Sequence, residues 1–147
     1  MKREHTPSGV GISRVIQADT DPIEASIFTS WYIRDGSHDH YREGTSVHVI
    51  EDRDGKCFRN VALSEEWTTI CEGVELRRRF PDPKDKNSTT WDLRVRRDVA
   101  PIYVHILSLE ESYCDDGYFG DHASRSSSFV YAYKLDAGAP FDSDTGG

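Results

Sequence analysis

The stretch WDLRVRRDVAPIYVHILSL, residues 91–109, decides the fold. It divides at Asp98-Val99-Ala100-Pro101 into two extended runs. Pro101 can open a strand but donates no ladder hydrogen bond inside one, so the break belongs there. In the first run Trp91, Leu93 and Val95 fall on one side and Asp92, Arg94 and Arg96 on the other. That alternation predicts a half-buried strand. In the second run Ile102, Val104 and Ile106 share one face, and Tyr103, His105, Leu107 and Leu109 the opposite one. Both faces are largely apolar, which predicts a strand covered on both sides.

The flanking sequence repeats this period of two. Residues 23–34 place Ile27, Thr29, Trp31 and Ile33 against Phe28, Ser30 and Tyr32. Residues 45–51 (TSVHVIE) and 57–63 read as two strands joined by an Asp52–Gly55 turn with an Asp-Gly hairpin signal. Ser64-Glu65-Glu66 leads through a bend into a short strand at Trp67–Ile70, ended by Gly73. Residues 74–80 and 129–135 alternate cleanly. Residues 35–44 (DGSHDHYREG), 81–88 (PDPKDKNS) and 113–128 have loop composition. No stretch holds a helical period with caps. The expected fold is all-β, an antiparallel β-sandwich or jelly-roll-like barrel of about seven to nine strands. The expected organisation is an N-terminal arm over 1–22, with a short edge strand at 10–16, then a domain over 23–135 and an acidic tail over 136–147.

With 147 residues, one core is expected. No apolar run reaches the roughly 20 residues of a membrane-spanning helix. The opening MKREHTPSG has no apolar region behind its basic residues, so no secretory signal is expected. A cytoplasmic protein, or one assembled into a particle, is the expectation. Cys57, Cys71 and Cys114 are widely spaced and odd in number, which points to buried, reduced thiols. A formal charge of −8 argues against nucleic acid as a partner.

His38-Asp39-His40 with Glu43 is the sharpest enzyme-like pattern. Alternate histidines on an extended segment project to one side, and Glu43 and His122 would complete a ligand set for a divalent metal. The pattern resembles the first metal motif of cupins, which places His-x-His ahead of a glutamate on a jelly-roll barrel. The resemblance implies a metal-dependent enzyme using His38, His40 and Glu43. It covers about eight residues; the spacing to Glu43 is shorter than that family's, and no second motif stands out around residues 117–122. A solvated loop is the simpler account, and no cofactor is expected on balance. Asp52, Asp54 and Gly55 suit an ordinary Asp-Gly turn better than a calcium loop. Ser124–Ser128 lack a nucleophile-elbow context.

The arginines carry the most physical information. Residues 74–97 hold eight bases and four acids, a local +4 in an acidic chain. If the strands at 74–80 and 91–97 form a hairpin, Arg77 and Arg79 lie beside Arg94 and Arg96, with Glu75 and Asp92 offsetting part of that charge. Like charges facing across a sheet cost energy unless an opposite charge is near. Two readings follow: a cross-strand salt-bridge lattice, or a docking face for an acidic partner such as the acidic side or tail of a second copy. The expected function is a non-enzymatic structural subunit of a virion, tail or other particle, docking through this face and its terminal arms as a homo-oligomer or with other protein subunits. The alternatives are a carbohydrate-binding sandwich, whose Trp31, Tyr41, Trp67, Tyr113, Tyr118 and Phe119 would stack on sugars, and the cupin-like enzyme.

Overall fold

The computed structural model describes residues 4–35, 39–59, 64–85, 87–115 and 121–138. Among the described residues nine strands follow in chain order: β1 (Ile12–Ala18), β2 (Ile23–Asp35), β3 (Asp39–Glu51), β4 (Cys57–Arg59), β5 (Thr68–Cys71), β6 (Val74–Arg79), β7 (Ser88–Val95), β8 (Ile102–Asp115) and β9 (Asp121–Ala137). One 3-10 turn, Arg97–Val99, fills the break between β7 and β8, and no α-helix occurs among the described residues. None of them therefore forms a helix long and apolar enough to cross a membrane.

The strand order is β1-β9-β8-β3-β2-β7-β6-β5, with β4 beside β3. The path ends at β1 and β5 without closing. All pairings are antiparallel except β1 with β9, so the sheet is mixed.

β2 turns this sheet into two layers. Its residues 23–30 pair with β7, and its residues 31–35 pair with β3. Gly44 sits opposite Trp31 where the strand changes layers. A Cβ at Gly44 would overlap the Ser30 carbonyl and the Trp31 side chain, so the close approach requires glycine there.

The core lies between the layers. One contributes Ile50, Ile102, Val104, Ile106 and Leu135; the other contributes Ile23, Ile27, Val74, Leu76, Trp91, Leu93 and Val95. Burying each aliphatic side chain contributes roughly 1.5–3 kcal/mol of transfer free energy. Within it Trp91 Nε1 donates to Thr29 Oγ1 at 2.8 Å.

The two runs of residues 91–109 behave differently, as their patterns predict. β7 buries Trp91, Leu93 and Val95 and leaves Arg94 half-buried, but it also buries Asp92, which alternation alone places on the solvent side. β8 is buried on both faces, with Ile102, Val104 and Ile106 inward and Tyr103 and His105 buried on the other side. The N-terminal segment reaches that outer side. Residues 4–18, within the segment expected as an arm, pack on the sheet: Thr6 is buried, Ser8 bonds Glu51, Glu4 pairs with Lys134, and β1 joins β9.

Two stretches with loop composition are strands. Residues 39–44 belong to β3, and residues 113–115 and 121–128 belong to β8 and β9. Each lies in a long antiparallel ladder, β3 with β8 and β8 with β9, broken by one register shift, between Val47 and Val49 in the first and between Ser112 and Tyr113 in the second. Non-local pairing outweighs a polar composition there. In the strand expected at 57–63, residues 57–59 form β4 and residues 60–63 lie outside the described residues. Cys57 and Cys71 are free thiols, but neither is fully buried: Cys57 is exposed, bordering the Asp52–Gly55 turn, and Cys71 is half-buried.

Candidate functional site

The outer face of the second layer is built by three strands in register. Ser26, Asp92 and Arg77 form one cross-strand row; Glu24, Arg94 and Glu75 form the next; Phe28, Thr90 and Arg79 form a third. Successive residues of a strand point to opposite faces, so these polar rows follow directly from the burial of Ile27, Leu76, Trp91 and Leu93.

Asp92 organises the face. It is only 6% exposed. Its carboxylate accepts from Arg79 Nε at 2.5 Å and Nη2 at 3.0 Å, from Arg77 Nε at 2.8 Å and from Ser26 Oγ at 2.8 Å. The Arg79 bonds hold its carboxyl well below the ordinary carboxylate range; burial opposes this, and Arg77 and Ser26 reinforce it. Arg79 is correspondingly held more firmly protonated, first by its hydrogen bond to Asp92.

Trp67, just before β5, lies under two guanidinium groups, that of Arg94 and again that of Arg77. Arg94 Cζ is 3.8 Å and Arg77 Cζ 4.5 Å from its ring centroid. Arg94 also approaches Glu24 at 3.5 Å. A depression of about 290 Å³ remains between Ser26, Trp67, Arg77, Arg79, Asp92 and Arg94. Beside it, in the row of Thr90 and Arg79, Phe28 is 61% exposed; Tyr32, 55% exposed, lies four residues farther along β2, in the part that pairs with β3.

Of the four arginines singled out by sequence, Arg77 and Arg79 converge on Asp92, and Arg94 shares Trp67 with Arg77. Arg96 stands apart beyond the end of β7, bonded to Asp98 and within 3.5 Å of Glu72. Phe28 and the organising role of Asp92 escape the sequence reading. Their only signal is an aromatic residue in the polar phase of one strand and a lone acid among bases in another.

Of the metal candidates, His38 lies outside the described residues. His40 is opposite Tyr113 on β8, and His122 is opposite Cys114 on the other side of that strand. The register thus brings His40 and His122 to the same end of the sheet, flanking β8, with Glu43 three residues farther along β3 and opposite Glu110. Among the described residues, no group of three or more His, Cys, Asp or Glu converges to hold a metal. Asp52 Oδ1 accepts the backbone N–H of Asp54 and of Lys56 at 2.9 Å each, which is the Asp-Gly turn itself.

A second polar cluster lies on the outer side of β8. Glu51 is fully buried, and its Oε2 accepts from Ser8 Oγ at 2.8 Å and meets His105 Nε2 at 2.9 Å. Sequence gives a hint in His105, a polar residue on a strand that pattern alone predicts to be covered on both faces.

No known protein family, curated protein or solved structure matches the chain.

Proposed function

We propose that this chain is a non-enzymatic assembly subunit of a larger complex, of virion, tail or particle type, and that it docks through the outer face of its second layer. The observation that carries the reading is the band formed by the exposed Phe28 ring, Trp67 and the arginines 77, 79 and 94 on one sheet surface. Tyr, Trp, Phe and Arg are the residue types enriched at the centres of protein interfaces. Asp92 and Trp67 fix three of these arginines before any partner arrives, so little side-chain entropy remains to be lost on docking. The face is part of a regular three-strand ladder, a rigid platform.

Mass measurement of the purified chain across concentration and salt tests the proposal. Association that weakens in a Phe28→Ser variant supports it. A monomer under every condition sinks it.

The runner-up is a carbohydrate-binding sandwich using the two exposed aromatics of β2, Phe28 and Tyr32. The Trp67 ring is already stacked with guanidinium groups, which leaves that tryptophan less suited to a sugar. Binding on a glycan array that is lost in Phe28→Ser would favour this reading over assembly.

A further inference from the structure

We infer that β1 is a second docking edge, and that its occupant is the β1 strand of another copy, added antiparallel and centred on Val15. The inference rests on the reading of the chain as an assembly subunit, but it names a different surface.

β1 ends the strand order, pairing with β9 on one side. Among the described residues, no strand lies along its other side. A free edge is a row of unpaired N–H and C=O groups, a template for another strand unless shortness, bulges, proline or charge blunt it. The other outer strands are blunted. β5 has four residues and an irregularity between Thr69 and Cys71, and β4 has three residues. β1 has seven residues with neither proline nor lysine, and after an irregularity near Ile12 it runs in unbroken register from Arg14 to Ala18. Val15, at its midpoint, is 45% exposed.

The strand is compatible with itself. At the ends of the strand the backbone is already engaged, Ile12 N–H with the Glu4 carbonyl and the Ala18 carbonyl with Gly138 N–H; antiparallel overlap of Ser13–Gln17 with its copy sets Val15 opposite Val15, Arg14 opposite Ile16 and Ser13 opposite Gln17. Arg14 is the only charged residue of β1, and in this register it never faces its counterpart. Like charges directly opposite each other destabilise a strand pair, and none occurs here. The guanidinium of Arg14 also lies 5.9 Å from the Tyr133 ring centroid on the neighbouring β9. The central Val15 pair adds β-branched contact where the two sheets would fuse into one, related by a two-fold axis.

The self-opposed centre gives a direct test by charge exchange. Sedimentation equilibrium is run on wild type, on Val15→Glu, on Val15→Lys and on their equimolar mixture, with Phe28→Ser alongside. Val15 is already half-exposed, so each variant is expected to fold, and circular dichroism checks that it does. Each single variant is expected to weaken self-association about five- to tenfold, because it places like charges opposite one another. The mixture, which pairs Glu with Lys, is expected to recover association to within about twofold of wild type. The inference is overturned if either single variant associates as wild type does, or if the mixture fails to recover. Loss of association in Phe28→Ser but not in the Val15 variants overturns the edge and leaves the face proposal standing. The reverse pattern supports the edge and removes the face.

Discussion

Replacing Asp92 by Asn tests whether one buried carboxylate holds the arginine face together. The substitution keeps the shape and removes the charge. Asp92 accepts four short bonds, three of them from guanidinium groups. A hydrogen bond to a charged group contributes roughly 1.5–3 kcal/mol. The side chains of Arg77 and Arg79 are 34% and 47% exposed, so water replaces much of what they lose. After that discount, Asp92→Asn is expected to cost about 2–3 kcal/mol. Urea unfolding would then shift its midpoint down by roughly 1 M at unchanged slope. A cycle with Arg79→Leu should show strong coupling, because the partners share a bond. The pH dependence has a definite sign. The folded-state value of Asp92 is depressed, so its contribution is complete above the ordinary carboxylate value of about 4 and is lost as pH falls through the depressed value. Asp92→Asn should flatten that acid limb. A loss below about 0.5 kcal/mol, or an additive cycle with Arg79→Leu, would refute the assignment of Asp92 as organiser.

Two further substitutions probe the layers themselves. His105→Ala strands the fully buried Glu51 with Ser8 alone, and removing one partner of such a pair costs about 3–5 kcal/mol; thermal unfolding should show a large drop that a Glu51→Leu, His105→Phe double variant largely restores. Gly44→Ala forces a Cβ against the Ser30 carbonyl and Trp31, with an expected cost of about 1–3 kcal/mol; amide exchange should quicken around residues 30–32 and 43–45, and unchanged protection there would argue against Gly44 as the point where β2 changes layers.

The local period of two made most of the fold legible. Residues 91–95 and 102–107 show their burial in their alternation, and the Asp52–Gly55 turn declares its hairpin. Pairing between distant segments was not legible. Nothing in DHYREG, residues 39–44, announces a strand; it becomes one because β8 runs beside all six of its residues. The same limit applies to the candidate face. The hairpin of β6 with β7 was readable, and with it the juxtaposed arginines. The third strand was not, although β2 supplies Ser26 to Asp92 across 66 residues of chain and Glu24 to Arg94. Burial of Asp92 depends on that third strand, so two-strand reasoning gives the acid too small a role.

That missing strand also changes how the face can recognise a partner. Arg94 stands between Glu24 and Glu75, and Arg77 and Arg79 converge on Asp92. Three bases are thus matched by three acids within one short ladder, and little net field extends outward. Beyond about 10 Å even the residual is screened at ordinary ionic strength. The local excess of base in residues 74–97 is therefore a poor guide to how the surface attracts. Long-range steering toward an acidic partner would need uncompensated charge. What the surface offers instead is short-range: the exposed Phe28 ring and guanidinium groups whose positions are set by Asp92 and Trp67. Association through it should proceed at an unsteered rate and change little between low and high salt. A steep loss of affinity with added salt would mean that some other, truly charged surface makes the contact.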